Sequence, residues 1–384
     1  MSAFAAELCN SLLVHFPGYL LELGANEVRI GLIVGVAGLA SISVRPWLGR
    51  VMDSRGRRLV IRTGTLMVAV STLTMAFTSH IGVALVGARL VQGIGQAVTM
   101  TAFWTYIADR VPAANRAHGI AVFGISGLLP MGIAPALGDL VLTTGWSYEG
   151  VFLIAAFFAL VSFGLSLFLE PSGVSTGAAT TRFREVLTSE ALRPVWVATV
   201  FVSIAFTTAF VFVKTYATTT GLLSVGPFFS AFAFAAIVWR LVFGGLPDKV
   251  GLKKAIGPGL ASYAVGLAIV GVIGGQSGLA LGGFFAGLGH GISYPVILAI
   301  ATTRAPVGDR GTVTATFTAV FDLVLFAIAP LLGLVISVFG YPAMFLTVSA
   351  AVVGGIAFFY GFDRGRIGSY PTTAESTTAP VPRG

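Results

Sequence analysis

The chain of 384 residues is 56% hydrophobic and 10% charged, and its mean hydropathy is +0.92. A soluble domain carries about 25% charged residues, so 23 Lys and Arg with 15 Asp and Glu cannot cover a water-facing surface of this size. We therefore predict a membrane protein. The single cysteine, Cys9, excludes a disulfide framework, and four scattered histidines predict neither a metal site nor a metal cofactor. The net charge of +8 comes without basic runs interleaved with aromatic residues, which argues against a nucleic-acid partner.

Apolar stretches that are long enough to cross a bilayer recur along the whole chain. A spanning helix needs about 20 apolar residues. We predict an all-α membrane protein with twelve transmembrane helices at 2–22, 28–50, 59–79, 82–105, 118–143, 148–169, 194–217, 225–247, 255–274, 278–302, 312–338 and 342–362. The first span has no basic n-region and is expected to remain in the mature chain. Residues 364–384 are expected to form a disordered cytoplasmic tail.

Basic residues are distributed unevenly between the two ends of these spans. With alternating crossings and the N-terminus inside, 20 of the 23 Lys and Arg lie on or near the cytoplasmic side. The exceptions are Arg29, Lys214 and, within a span, Arg89. The positive-inside rule then predicts an inner-membrane protein with both termini in the cytoplasm. Lys214 and Asp139, near the outer ends of spans, are expected to face the membrane interface.

An internal repeat relates the two halves of the sequence. Pro135 and Gly138 recur as Pro330 and Gly333 at an offset of 195 residues. Five loop residues recur at the same offset, with Arg45, Gly49, Asp53, Gly56 and Arg58 matching Arg240, Gly244, Asp248, Gly251 and Lys253. Duplicated six-helix halves with a substrate site between them are one transporter architecture. We predict two pseudo-symmetric six-helix bundles, 1–169 and 194–363, joined by a cytoplasmic linker at 170–193.

The repeated loop also carries a family resemblance. The stretches GRVMDSRGRR at 49–58 and GGLPDKVGLKK at 244–254 resemble the two signature loops of the major facilitator superfamily. LVGARLVQGIGQA at 85–97 resembles the fourth-helix motif of that family. MGIAPALGD at 131–139 resembles its antiporter motif only in part, while 289–295 and Phe321-Asp322 are similar to a bacterial efflux-type subgroup that includes sugar and drug exporters.

The resemblance implies a cytoplasmic gate built from the two loops. Its expected members are Gly49, Asp53, Gly56, Arg57, Arg58, Gly244, Asp248, Gly251 and Lys253. Gly49 and Gly244 are expected to let two helices approach, and Gly56 and Gly251 to turn with positive φ. Both aspartates are expected to meet the N-terminal end of a helix in the opposite half, near Gly311 for Asp53 and Ala117 for Asp248. The alternative is that they only cap helices and balance neighbouring arginines.

Ionisable and polar side chains inside the spans are candidates for substrate and proton sites, because each charge costs about 2.5–3.5 kcal/mol in the bilayer. The proton-coupling candidates are Asp322, Glu7 and His290, with Asp322 expected to be an unpaired carboxylate near mid-span and His290 its partner. The substrate-cavity candidates are Asn10, Arg89, Gln92, Gln96, Tyr294 and Thr318. Two alternatives stay open. Arg89 could be a structural tie to Glu7 or to a carbonyl group, and His290 a satisfied polar residue between packed glycines.

These features favour a secondary active transporter that works by alternating access. The sequence contains no phosphate-cradling loop, so an ion gradient is the expected energy source. We predict a monomer whose partners are protons, a small-molecule substrate and the lipid bilayer, and whose activity is proton-coupled export of a drug-like compound, sugar or metabolite. One alternative is an uptake symporter for a sugar, and another is sodium coupling. An integral-membrane enzyme using His290 and Asp322 is the remote alternative, and it does not explain the repeat.

Overall fold

The computed structural model describes residues 1–110, 116–171, 183–305 and 309–362, and within these ranges the ordered elements are helices. Ten of these helices are long and apolar enough to cross a membrane. One of the ten, Arg310–Phe362, consists of two helices that meet at Gly340, where φ is 80°. Together with the interrupted first helix, the described ranges therefore contain the predicted twelve spans, and the all-α fold class is confirmed.

The twelve spans are numbered α1–α12 here. The helix α1 contains Ser2–Leu12, a 3-10 turn at Leu13–His15 and Phe16–Glu22. The helices that follow are α2 (Glu27–Arg55), α3 (Arg57–Ala76), α4 (Val83–Arg110), α5 (Arg116–Thr143) and α6 (Tyr148–Ser166). The second half begins with α7 (Arg193–Thr207, a π turn at Thr208–Phe212, and Val213–Thr219) and continues with α8 (Gly226–Phe243), α9 (Leu252–Ile273) and α10 (Gly275–Thr303). The parts of Arg310–Phe362 before and after Gly340 are α11 and α12.

The observed helices end within a few residues of the predicted spans because the local signals for their ends are strong. The side chain of Asn26 accepts a hydrogen bond from the backbone N–H of Arg29 and so caps the start of α2. Prolines occupy the first turn of both α7 and α8, where their missing N–H does no harm. The predicted linker contains a short helix, Phe183–Thr188. The domain boundaries stay a prediction, and the predicted tail at 364–384 lies outside the described residues.

Small residues allow helices of the first half to pack closely on helices of the second half. A Cβ atom at Gly31 of α2 would lie 2.4 Å from the carbonyl oxygen of Ala329 in α11, and one at Gly38 would lie 2.4 Å from that of Asp322. Another contact between the halves joins α5 and α8, where Ser230 Oγ donates to the carbonyl oxygen of Gly132 at 2.9 Å. These two helix pairs correspond to each other in the repeat. Close backbone approach at small residues is typical of helix packing in membranes.

The phenylalanines divide between the interior and the outer surface. Phe228, Phe229 and Phe232 are fully buried, whereas the side chain of Phe234 is 61% exposed. Phe77 and Phe168 are also largely exposed. An exposed surface of large apolar side chains fits a protein whose helices are solvated by lipid.

We expect Gly31→Ala to destabilise the protein, because the added methyl group meets backbone atoms of α11 that cannot rotate away. Overpacking of this kind costs about 1–3 kcal/mol. Gly354→Ala is the matched control, since Gly354 is an exposed helical glycine with no atom within 4 Å of its Cβ position. Thermal unfolding of the detergent-solubilised protein should show a lower midpoint for Gly31→Ala and an unchanged or higher midpoint for Gly354→Ala. Equal midpoints for the two variants would contradict the tight α2–α11 contact.

Candidate functional site

An ion pair joins α2 to α11 within the packed helices. The guanidinium of Arg45 donates to Asp322 Oδ2 through Nη2 and, at 2.8 Å, through Nε. Its Nη1 donates to Thr318 Oγ1 at 2.9 Å. The two charged side chains are 10% and 21% exposed. The prediction that Asp322 is unpaired is therefore wrong, because Arg45 lies seven residues, or two helical turns, after Gly38 and so faces the same neighbour.

His290 of α10 lies inside a cluster of aromatic rings and does not contact Asp322. Its ring centroid is 5.4 Å from that of Phe206, 5.3 Å from that of Phe232 and 5.3 Å from that of Tyr294. The His290 side chain is 6% exposed, and its Nδ1 has no hydrogen-bond partner. The expectation that His290 partners Asp322 is wrong for this structure. The alternative that His290 is a fully satisfied polar residue is also wrong, because its Nδ1 atom has no hydrogen-bond partner.

Tyr294 connects this aromatic cluster to the ion pair. Its ring lies 5.0 Å from that of Phe317 and 5.5 Å from that of Phe321, between centroids. Phe321 directly precedes Asp322 in α11. Two predicted candidates, Tyr294 and His290, are therefore brought together, and a third, Asp322, lies beside them.

A chain of polar side chains runs along α4. Arg89 Nη1 donates to Gln92 Oε1 at 2.7 Å, and Gln92 Nε2 donates to Gln96 Oε1 at 2.8 Å. The Arg89 guanidinium carbon lies 5.0 Å from the centroid of the Phe16 ring, at cation–π distance. Arg89 is 8% exposed and forms no ion pair with Glu7. The alternative of a tie between Arg89 and Glu7 is thus not what the structure contains.

Glu7 and Asn10 interact with each other on α1. Asn10 Nδ2 donates to Glu7 Oε1 at 3.1 Å. Asn10 also lines a small cavity of about 10 Å³, together with Gln92 and Gln96. The cavity is about large enough for one water molecule. All its lining residues come from the first six helices.

A buried carboxylate joins α5 to α7 and α8 at the end of the helices opposite the two signature loops. Asp139 Oδ1 accepts a hydrogen bond from Lys214 Nζ at 3.0 Å, and His15 Nδ1 lies 3.9 Å away. Asp139 Oδ2 accepts from the backbone N–H groups of Val225 and Gly226 at 2.7 and 2.9 Å. Two N–H groups at the start of α8 thus face an anion, an arrangement that the helix dipole favours.

The expectation that Asp139 and Lys214 face the membrane interface is therefore wrong. Asp139 is only 3% exposed and Lys214 6%. Ser224 Oγ also donates to Asp139 at 2.6 Å, so the carboxylate is surrounded by donors. The two side chains lie inside the protein because α5, α7 and α8 converge at this end.

The loop motifs show the predicted turns, and the structure describes only part of their contacts. Gly56 and Gly251 have φ of 80° and 100°, which confirms the predicted positive φ. Gly244 directly follows α8 and is exposed, and the three atoms nearest its Cβ position belong to the backbone of Arg240 in α8. Asp248 is exposed and forms no ion pair with a described residue. The surroundings of the Asp53 and Ala117 side chains and of Gly49 are not among the described contacts.

The basic residues of the first loop interact with helix ends of the first half. Arg57 is 2% exposed and donates to the carbonyl oxygen of Met52 at 3.0 Å. Arg58 donates to the carbonyl oxygen of Leu169 at 3.4 Å. Cations are favourable near free carbonyl groups at the end of a helix such as α6. At the end of α4, past the apolar stretch that ends at Ile107, a hydrogen bond with Glu170 raises the pKa of the exposed Arg110 guanidinium.

Two arginines with a clear place in the site were not predicted as site residues. In the sequence, Arg45 and Arg240 stand out only as members of the repeat, yet both lie in helices that contact the opposite half. The signal was their position, eight residues before Asp53 and Asp248, which is about two turns inside each helix. In the described ranges, no three His, Cys, Asp or Glu side chains are grouped to hold a metal ion. The arrangement offers charged partners and aromatic faces for reversible binding.

We expect Asp139→Asn to destabilise the protein strongly, because it leaves the Lys214 ammonium buried without a counterion. Breaking a buried pair in this way costs about 3–5 kcal/mol. The double variant Asp139→Asn with Lys214→Gln should recover part of the loss, since neither charge remains. Thermal unfolding in detergent measures all three midpoints. A single variant as stable as the unmodified chain would show that this pair contributes nothing.

The sequence matches the family model of the Major Facilitator Superfamily over residues 1–275 and 195–383. An uncharacterised MFS-type transporter of Burkholderia mallei (strain SAVP1) is 26% identical, over 89% of this chain and 85% of the relative. The uncharacterised MFS-type transporter YhhS of Escherichia coli (strain K12) is 26% identical, over 92% of this chain and 88% of its own.

Solved structures share the fold at lower identity. The nucleoside transporter NupG has a TM-score of 0.79 at 13% identity, over 94% of this chain and 98% of its own. The human organic anion transporter MFSD10 (TETRAN) has a TM-score of 0.71 at 18% identity, over 93% of this chain and 97% of its own. Fold, relatives and family model agree, and they are those of membrane transporters and not of enzymes. The chain belongs to the Major Facilitator Superfamily.

Proposed function

We propose that this protein is a secondary active transporter of the efflux type, which exports a small organic molecule in exchange for protons by alternating access. The observation that carries this proposal is the Arg45–Asp322 ion pair, which links the first six helices to the last six. A charge pair at such a contact can be broken by protonation of its carboxylate. Protonation of Asp322 is then coupled to the relative movement of the two halves.

The physical step in this coupling is the loss of the negative charge on Asp322. The attraction between two unit charges grows as the surrounding dielectric constant falls, so a partly buried pair holds its helices together strongly. A protonated Asp322 no longer attracts the Arg45 guanidinium in this way. We propose that α2 and α11 then separate more easily, and that the proton is released when the cleft opens to the other side.

Contacts at the two ends of the helices support one state of the alternating-access cycle, with the cleft open at the end that carries the signature loops. At the end opposite the loops, Asp139 binds Lys214 and the start of α8, and so ties the two halves together. At the loop end, Asp248 is exposed and forms no described ion pair. These contacts fit a cleft that is closed at the first end and open at the second. We propose that Asp53 and Asp248 latch the loop end in the opposite state.

The positive-inside rule supports the placement of the loop end. We propose that both termini lie in the cytoplasm, that the protein resides in the bacterial inner membrane, and that it works as a monomer. The halves 1–169 and 194–363 are the proposed moving bodies. The loop end is then cytoplasmic, and the described contacts fit a cytoplasm-facing state.

Export is favoured by the similarity of residues 289–295 and of Phe321-Asp322 to an efflux-type subgroup, whereas the motif at 131–139 matches the antiporter pattern only in part. The solved relatives do not select a substrate, since one is described as a nucleoside transporter and another as an organic anion transporter. A growth screen of overexpressing and deletion strains against toxic compounds and sugars would supply a transported compound. Export predicts that overexpression raises resistance and deletion lowers it, whereas uptake predicts the reverse.

We expect Asp322→Asn to abolish transport driven by a pH gradient while substrate exchange at equal pH continues. The amide keeps the shape of the side chain but cannot take up and release a proton, so the gradient no longer drives the cycle. Purified variants in liposomes, with the radiolabelled compound from the growth screen, measure both activities.

Two controls make this experiment specific. Glu22→Gln removes an exposed carboxylate elsewhere and should leave both activities unchanged. Asp248→Asn should slow both activities together, because a gate residue affects the conformational cycle and not the proton step. If Asp322→Asn still accumulates substrate against a gradient, coupling lies elsewhere or uses sodium.

A further inference from the structure

Arg45 and Arg240 occupy equivalent positions in the repeat, but among the described carboxylates Arg45 has a partner, Asp322, and Arg240 has none. At the shared offset of 195 residues, the position equivalent to Asp322 is Gly127. The position equivalent to Thr318, the other partner of Arg45, is Phe123. Both groups that bind the first arginine are therefore absent beside the second.

The surroundings of Arg240 confirm this asymmetry among the described residues. Arg240 Nη1 lies 3.8 Å from the Cβ position of Gly124 in α5, so the side chain faces that helix. Its Nε is buried and has no hydrogen-bond partner, and no described carboxylate lies within ion-pair distance. A Cβ atom at Gly127 would meet no atom within 4 Å. Open space thus remains where the symmetry would place a carboxylate.

Two other polar side chains, one of them with an unpartnered nitrogen, lie near Arg240. His290 and Tyr294 are both within electrostatic range of its guanidinium. The Nδ1 of His290 is buried without a partner. Tyr294 is also within electrostatic range of Arg45 and Asp322, so the charges of both arginines act on it.

Aromatic rings border the same region. The Phe206 and Phe210 rings of α7 stack with centroids 4.1 Å apart, and Phe206 lies 6.2 Å from Phe321 of α11. All three rings are only partly buried. Partly exposed aromatic faces beside a cationic group suit a ligand that has an anionic end and an apolar body.

We infer that Arg240 binds the carboxylate of a small organic anion, whose aromatic or apolar body lies against Phe206, Phe210 and Phe321. The ligand carboxylate takes the place beside Gly127 that Asp322 takes beside Arg45. Two parallel hydrogen bonds from a guanidinium suit this geometry. The bound anion also neutralises a charge that is costly to leave unpaired inside a membrane protein. This inference rests on the proposed function, because it names the class of its substrate.

Binding measured without any gradient tests the inference. The probes are benzoate and 3-phenylpropionate, each compared with its neutral amide, and phenethylamine as a cation. Purified protein in lipid nanodiscs is titrated, and the shift of the unfolding midpoint reports binding. We expect the carboxylates to bind at least about 10-fold more tightly than the amides, as charged hydrogen bonds imply. Equal binding of acid and amide, or no binding of any acid, would overturn the inference.

Two substitutions test the role of Arg240 itself. Arg240→Gln should remove the preference for the acid, and Arg240→Lys should retain part of it, since the charge remains without the fork. Arg184→Gln, which removes an exposed arginine, is the matched control and should bind as the unmodified chain does. Retained acid preference in a folded Arg240→Gln variant would overturn the inference.

Gly127→Asp supplies a carboxylate at the position that symmetry predicts. We expect this variant to unfold at a higher temperature and to lose binding of the acids, because the new side chain pairs with Arg240. A stable variant that binds the acids unchanged would place the anion elsewhere. A protein that prefers acids but shows no gradient-driven export retains the site and loses the proposed function. If the protein exports neutral or cationic compounds and shows no preference for acids, the proposed function stands and the anion site at Arg240 is wrong.

Discussion

Hydrocarbon does not solvate an isolated charge, and this constraint determines where the ionised side chains of the spans lie. Asp139 accepts hydrogen bonds from Lys214 and from the start of α8. Asp322 binds Arg45. In both cases the charged partner comes from the opposite half of the chain. Charge compensation therefore does more than stabilise single helices, because it makes the contact between the halves depend on which groups are ionised.

The close helix contacts make these charge pairs geometrically accessible. Gly31 and Gly38 bring α2 against the backbone of α11, and Arg45 follows two turns later on the same side. The contact between α5 and α8 has the same design, with Gly132 against Ser230. Backbone packing thus respects the pseudo-symmetry of the repeat, whereas the charges do not. The two halves can therefore share the same close helix contacts while the charged side chains between them differ.

The sequence was sufficient for the helices and insufficient for the partners of their charges. Spans, their ends and the positive φ of Gly56 follow from local hydropathy and from turn chemistry, which neighbouring residues determine. The partner of Asp322 lies 277 residues away in sequence, and no periodicity along one helix reveals it. The nearness of Asp139 and Lys214 to helix ends predicts an interfacial position, which is wrong because both side chains are buried. Depth along a helix does not tell which of its sides faces a neighbour.

The two proposed closed states rely on the same kind of interaction at opposite ends of the protein. At one end, the Asp139 carboxylate meets the free N–H groups that begin α8. At the loop end, we propose that Asp53 and Asp248 each meet the start of a helix in the other half when the protein is in the opposite state. An exchange of one carboxylate–helix contact for another of similar strength changes the total free energy little. A transporter needs its two states within a few kcal/mol of each other, because a ligand shifts an equilibrium only by its differential affinity. In the proposed mechanism, a proton at the Asp322–Arg45 pair and an anion at Arg240 then determine which of the two end contacts forms.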